Sequence, residues 1–500
     1  MESDFSKQIL IPFVQSINAH PMAPALNIAG TPYTYLQLAQ RIAAIRQALR
    51  QHTSSHTIAA LAIHDDIDTY ASIFALWMEG KAYVPLHPNQ PLERNQGIIG
   101  QVGTTLILDS ADTSPFHALN TTRLKSVDPA SSLTDWVSTP DHQLAYILFT
   151  SGSTGVPKGV TISRRNISAF LDSFWQTGIH IDHTDRCLQA FDLTFDVSVQ
   201  SFLVALTRGA CLYTVPYGMV KYLYVAQLIQ QQHITFGAMA PSMLTYLRPY
   251  FDELDASSLR ACILTAEACP TDLMEEWFHC ATNTDIYDFY GPTEATIYCT
   301  YYKLSRHAPN LSANGIISIG RPLANVHALI LADDGNPVSG QEKGELCISG
   351  DQVTPGYWNN ADKNAEAFFL HDADGTPRRY YHTGDLCYRH PSGNIMYCGR
   401  IDQQAKIQGF RVELGEIEYH AREYSNRQHR AVAIAFQNAS ALTEIALFVE
   451  SPEEDPAPLL AYLRSKLPGY MVPTRILYRP TFPLNASDKI NRTQLKSEIQ

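Results

Sequence analysis

The chain predicts an α/β fold in at least two domains, and three observations carry that prediction. Its 500 residues exceed what one hydrophobic core usually organises. Amphipathic runs of helical period alternate with short apolar runs along most of the length, the pattern of largely parallel sheets packed against helices. Near residue 402 that pattern gives way to a helix–strand–strand–helix–strand series of about 100 residues, a reasonable size for a separate domain.

In order, YLQLAQRIAAIRQALRQ (35–51) reads as an amphipathic helix, TIAALAI (57–63) as a buried strand and YASIFALWMEG (70–80) as a helix. AYVPL (82–86) and TTLIL (104–108) are strands. A second cycle follows: helix 221–232, strand 234–240, helix 242–250, strand 261–266, helix 271–280 and strand 285–291. Residues 314–398 read as all-β, because turn signals such as ADDGNP, GQEKGE and HPSGN separate short alternating runs. After GRID (399–402) come helix GEIEYHAREY, strands RAVAIAF and ALTEIALFVE, helix APLLAYLRSKL and strand TRILYRP, an α+β set. The expected division is therefore 1–401, with α/β subdomains and a small β-barrel-like subdomain, and 402–500.

Composition narrows the function. Hydrophobic residues make up 45% and charged residues 17%, as in soluble globular proteins. A net charge of −12, with Lys and Arg scattered, argues against nucleic-acid or anionic-membrane partners. The nine cysteines show no CxxC spacing and sit mostly in apolar runs, so reduced buried thiols are expected rather than disulfides or zinc. With no secretory leader and no apolar run of about 18 residues, the expected location is cytoplasmic.

The stretch LFTSGSTGVPKGV (148–160) follows the apolar run LAYILF and is crowded with glycines, hydroxyls and one lysine. Backbone N–H groups and hydroxyls at such density suit phosphate oxygens. Pro157 breaks the GxxxxGK[ST] pattern, so this is not a Walker loop. Further motifs follow in order: FDVSVQ (195–200), YGPTE (290–294), GELCISGDQVTPGYWN (344–359), YHTGDL (381–386), GRIDQQAKIQGFRVELGEIE (399–418), LPGYMVP (467–473) and PLNASDKINR (483–492).

That series resembles the adenylate-forming superfamily, and within it the amino-acid adenylation enzymes of nonribosomal peptide synthesis, over nearly the whole chain. The resemblance implies ATP and Mg²⁺, an aminoacyl-AMP intermediate and a separate phosphopantetheine-bearing carrier protein. It also implies a small C-terminal domain that is mobile, with Asp402 as hinge. Thr150, Ser151, Gly152, Ser153, Thr154, Gly155 and Lys158 become the loop for the β- and γ-phosphates. Glu294, after Gly291 and Thr293, becomes the Mg²⁺ carboxylate, since hard cations take oxygen ligands. Tyr290 is placed against adenine, Asp385 against the ribose hydroxyls and Arg400 near ribose and phosphate. Lys489 is the catalytic cation between substrate carboxylate and α-phosphate; Asp488 precedes it where the family usually has glycine. Lys406 and Gly409 belong to the face that meets the carrier's thiol arm, with Gln408 where the family often has arginine.

Asp196 is assigned to the substrate's α-ammonium, a charge-assisted contact that acyl- and aryl-acid ligases do not need; Asp192 in the preceding FDL is the competing aspartate. Motif matching adds Val197, Gln200, Ala238, Ile263, Thr265, Phe289, Ile297 and Tyr298 to the pocket. None carries a charge, so a small or medium uncharged amino acid is expected. The Asp-Val-Gln opening, with Ile263 and Ile297, is similar to prolyl pockets, as in prolyl–carrier ligases of anatoxin- or pyrrole-type pathways, and L-proline is the favoured substrate. Phe289 and Thr265 depart from that pattern. The alternatives are a D-alanine–carrier ligase or another small apolar amino acid, then an aryl- or acyl-CoA ligase.

Overall fold

The computed structural model describes residues 4–499 apart from 53–55, 129–132, 153–154, 373–374, 403 and 485–489. The chain forms two compact units. The first comprises Met1–His87, Ile99–Leu148 and Gly159–Ile401; the second comprises Pro88–Ile98, Phe149–Lys158 and Asp402–Gln500.

The first unit is built on two large sheets and one smaller sheet. Strands Phe236–Met239, Ala261–Leu264 and Asp285–Tyr290 run parallel at the centre of a nine-stranded sheet, with Ala238 opposite Ile263 and Ile263 opposite Tyr287. A seven-stranded sheet centres on the parallel strands Ile58–Ala62 and Ala82–Leu86. Their residues are all buried, as strands covered on both faces require. The helices form where periodicity and caps coincide. Tyr35–Gln51 starts at a capping box in which Thr34 and Gln37 satisfy each other's backbone N–H groups, and its buried face includes Leu38, Ile42, Ile45 and Leu49.

The small sheet of the first unit differs from the barrel-like expectation. Strands Val326–Leu331, Gly344–Gly350, Phe368–Asp372, Pro377–Arg389 and Ile395–Arg400 make an open five-stranded antiparallel sheet. The all-β reading of 314–398 also misses helix Ala361–Ala367, which Asn360 caps through the Lys363 N–H.

In the second unit, Ala431–Gln437 pairs antiparallel with Thr443–Glu450, which pairs parallel with Arg475–Arg479. Helix Leu414–Tyr424 packs on this sheet through Ile417 and Ala421, and helix Pro456–Lys466 through Leu459 and Leu463. A separate hairpin joins Gln404–Ile407 to Phe410–Glu413. Its two-residue turn holds Gln408 at φ 53° and Gly409 at φ 84°, the paired positive values that a tight hairpin of this twist demands. Backbone geometry therefore already accounts for Gly409, apart from any approach of a thiol arm.

Candidate active site

In the first unit, helix Asp196–Leu206 carries Asp196, Val197 and Gln200 in its first turns, all buried. Ala238 and Ile263 are cross-strand neighbours; Thr265 directly follows the strand of Ile263, and Phe289 lies near the end of the adjacent strand Asp285–Tyr290. Ile297 and Tyr298 come from the loop after YGPTE. Of the residues expected to line the pocket, the structure pairs Ala238 with Ile263 across strands and joins Gln200, Tyr298 and Phe289. Two of the contacts are direct. Tyr298 donates its hydroxyl to Gln200 Oε1 at 3.3 Å, and the Phe289 and Tyr298 rings lie 4.9 Å apart.

Asp196 is the most telling group. It is 7% exposed, and its Oδ2 is a buried oxygen with no hydrogen-bond partner among the described residues. A buried carboxylate left so is costly unless a cation meets it. Burial pushes its pKa up to about 7; a bond from Thr293 opposes the shift, and the charge of Glu294 adds to it. Asp192, the competing aspartate, is already occupied. His87 Nε2 lies 2.7 Å from its Oδ2, and that bond holds its carboxyl below the usual range despite burial.

Glu294 is fully buried and accepts the Tyr357 hydroxyl at 2.7 Å. Its backbone carbonyl accepts the Thr354 N–H at 2.8 Å. The loop that carries it is tight. A Cβ on Gly291 would stand 2.4 Å from the Ile297 carbonyl oxygen, so no larger residue fits. Thr296 and Ile297 take φ of 55° and 74°, strained values for β-branched residues. Gln352 holds that strain in place: its backbone carbonyl accepts the Thr296 hydroxyl, and its side chain donates Nε2 to the Tyr298 carbonyl at 2.7 Å. Gln352 and Tyr357 do not stand out in the sequence. Their only trace there is their place in the GDQVTPGYW motif.

Tyr290, Asp385 and Arg400 form one connected group. Asp385 and Arg400 are cross-strand partners; Arg400 donates to Asp385 Oδ1 at 2.9 Å and to the Thr383 carbonyl at 3.0 Å. Tyr290 donates its hydroxyl to Asp385 Oδ2 at 2.5 Å. The aspartate is 2% exposed and anchored on both oxygens before any nucleotide arrives.

In the second unit, the glycine-rich loop holds an anion of its own chain. The Gly152 N–H donates to Glu416 Oε2 at 3.1 Å, and Arg94 pairs with Glu416 Oε1 at 2.6 Å. Ser151 donates its hydroxyl to the Arg411 carbonyl and accepts the Glu413 N–H; Lys158 lies 3.3 Å from Glu413. Carboxylate oxygens thus take N–H and ammonium donors that the sequence pattern offers to phosphate oxygens. The loop is too tight for side chains at two points. A Cβ on Gly152 would meet the Val156 carbonyl oxygen at 2.1 Å, and one on Gly155 the Tyr419 ring at 2.2 Å. Thr150 makes one long bond, from its hydroxyl to the Lys158 carbonyl at 3.5 Å. Burial outweighs these partners and raises the Glu416 pKa.

Arg94→Ala leaves Glu416 buried and uncompensated. A loss of about 3–5 kcal/mol is expected, read by denaturant unfolding. The double change Arg94→Met with Glu416→Met should restore most of it, because no charge then remains buried. A loss below about 1 kcal/mol in the single variant would mean that solvent screens Glu416.

Lys406 lies on strand Gln404–Ile407 opposite Arg411, and Asp402 accepts the Gln404 N–H at 3.0 Å. Ser153, Thr154 and Lys489 lie outside the described residues. All nine cysteines are free thiols and seven are buried. No helix among the described residues is long and apolar enough to cross a membrane.

The orphaned carboxylate of Asp196 and the Tyr290–Asp385–Arg400 cluster thus belong to one α/β unit. Residues 13–358 match the family described as AMP-binding enzyme, and the chain belongs to that family. It is 31% identical over 96% of its length to tyrocidine synthase 2 of Brevibacillus parabrevis, but spans only 13% of that much longer protein. It is 30% identical to zwittermicin A synthase ZmaJ of Bacillus cereus, over 97% of this chain and 93% of that one. Among solved structures it resembles the Vibrio cholerae adenylation domain AlmE bound to glycyl-adenosine-5'-phosphate. The TM-score is 0.86 at 25% identity, over 100% of this chain and 98% of the other.

Proposed function

We propose that this protein activates an amino acid as its aminoacyl-AMP and passes the acyl group to the phosphopantetheine thiol of a separate carrier protein. In the first half-reaction the substrate carboxylate attacks the α-phosphorus of ATP, and the bond to pyrophosphate breaks. In the second, the thiol sulfur attacks the acyl carbon and AMP leaves. The observation that carries this reading is the partnerless oxygen of buried Asp196, which suits an α-ammonium and not an aryl or fatty acid. That same fit opposes an aryl- or acyl-CoA ligase.

Glu294, buried and an oxygen donor, is suited to hold Mg²⁺. When bound, the ion neutralises phosphate charge. Asp385, already oriented by Arg400, accepts from the ribose hydroxyls, and Tyr290 flanks the base. The glycine-rich loop serves the phosphates. Its present bond to a carboxylate supports an anion-holding role.

Within the class, L-proline is the substrate the Asp196-Val197-Gln200 opening favours, with Ile263 and Ile297 supplying apolar walls. A second reading, glycine or D-alanine, rests on one observation. The Tyr298–Gln200 bond, backed by the Phe289 ring, ties up bulky side chains among the residues assigned to the substrate; the similar AlmE was solved with a glycyl adenylate.

ATP–pyrophosphate exchange with proline, glycine, D-alanine and aryl acids tests both. Exchange with proline is the expected result. Exchange with glycine or D-alanine alone would replace the substrate and keep the class, whereas exchange with benzoates alone would end the assignment of Asp196.

A further inference from the structure

Strand Pro377–Arg389 carries a bulge against strand Gly344–Gly350. Glu345 pairs with Leu386 and Cys347 with His382, so two steps on one strand oppose four on the other. The bulge has a chemical consequence. Glu345 and Cys347, two residues apart, share a face of their strand, and His382 stands directly across from Cys347. His382 Nδ1 lies 2.7 Å from Glu345 Oε2 and 3.7 Å from Cys347 Sγ. All three donor atoms fall within 4.8 Å of one another.

We propose that Glu345, Cys347 and His382 form a binding site for one borderline divalent transition ion, of which Zn²⁺ is the representative. One carboxylate oxygen, one imidazole nitrogen and one sulfur make the mixed donor set that such ions select and that Mg²⁺ and Ca²⁺ do not. Ligand bonds of about 2.0–2.3 Å in a tetrahedron put donor atoms roughly 3.3–3.7 Å apart. The sulfur–nitrogen spacing is already there. The nitrogen–oxygen spacing must open by about half an ångström, as an ion replaces a hydrogen bond.

The protons balance. Opposite a carboxylate, Nδ1 carries the imidazole hydrogen, which moves to Nε2 when Nδ1 takes the metal. Burial and the Glu345 charge keep Cys347 a thiol, so its proton leaves to solvent on binding. The His382 and Glu345 side chains are 36% and 21% exposed, which leaves an entry path and a fourth position for water.

The surroundings hold the ligands in place. The Phe369 ring lies 4.4 Å from the His382 ring, and Leu331 and Tyr380 pack with Cys347. Glu345 Oε1 accepts the Gly384 N–H at 2.9 Å. The same carboxylate therefore ties the site to the backbone just before Asp385, and an ion there stiffens the bulged strand that carries the residue assigned to the ribose.

Co²⁺ titration of the full chain tests this. The expected result is one equivalent bound with intense visible bands of a tetrahedral ion and a near-ultraviolet thiolate-to-cobalt band, all bleached by Zn²⁺. Cys347→Ser should remove the thiolate band, and His382→Gln should weaken binding at least about 100-fold, since even outer-shell losses cost 10–100-fold. Both variants leave the residues assigned to amino acid and nucleotide untouched, so exchange activity in Mg²⁺ alone, without Co²⁺ or Zn²⁺, reports their folding. Weak bands of a six-coordinate ion, absence of the thiolate band, or its persistence in Cys347→Ser would overturn the proposal, the last by assigning the ion to another of the nine cysteines.

Discussion

Asp196→Asn is expected to lower kcat/KM for the amino acid by roughly 10- to 150-fold, with little change in KM for ATP. The figure follows from losing one charge-assisted contact, about 1.5–3 kcal/mol. Asparagine keeps the shape and the bond with Thr293, so the loss reports charge rather than packing. The pH profile adds a second readout. With its carboxyl at about 7 in the free enzyme, Asp196 is largely neutral below that pH and meets the ammonium poorly. The amino-acid KM should fall as pH rises through about 7, with the slope of one proton, and be flat there in the variant.

Stability should move the opposite way. The folded-state pKa is raised above the ordinary 3.8, so between those values the folded chain holds a proton that the unfolded chain has released. This residue's contribution therefore falls as pH rises from about 4 to about 7 and then levels off. Asp196→Asn should thus raise the thermal midpoint of the unliganded enzyme at pH 8 while lowering its activity, the usual exchange at a site poised for a ligand. An unchanged amino-acid KM across this range would show that the anchor lies elsewhere.

How much of this was legible in the sequence differs by kind of residue. Helices 221–232 and 271–280 coincide with Lys221–Gln232 and Thr271–Cys280 because their apolar spacing and flanking turns agree. Helix Ala361–Ala367 was invisible. Its ADKNAEA sequence buries only Ala367 and offers no apolar stripe, and its existence rests on the Asn360 cap. Turn-punctuated strands announced the small sheet but not whether it closes, because closure depends on stagger and tilt between distant strands.

At the site, Asp196 and Glu294 stood out by motif. Gln352 did not, since its work is to bond a backbone whose positive φ at Thr296 and Ile297 no composition signal betrays. Likewise, nothing local tells that 88–98 and 149–158 join the second unit; their partners Glu413 and Glu416 lie more than 250 residues onward.

Lys489→Ala is expected to remove at least 10²–10³-fold of adenylate formation while leaving transfer from supplied aminoacyl-AMP to the carrier thiol mostly intact. The asymmetry follows from where charge develops. As the carboxylate oxygen closes on the α-phosphorus, negative charge accumulates on the phosphoryl oxygens. An ammonium aimed there in a water-poor site is worth as much as the strongest single oxyanion donors, about 2.7–4 kcal/mol or more. In transfer the adenylate already exists and the leaving group is AMP, so that cation is no longer needed.

Lys406 gives the converse: Lys406→Ala should slow transfer and spare pyrophosphate exchange. Asp488 supplies an internal check on the charge argument. If its carboxylate partly neutralises Lys489, then Asp488→Gly should raise the exchange rate, and the gain should disappear in the Lys489→Ala background. Equal loss of both half-reactions in Lys489→Ala would leave no reason to divide the two steps between two lysines, and the assignment of separate cations to adenylation and transfer would fall.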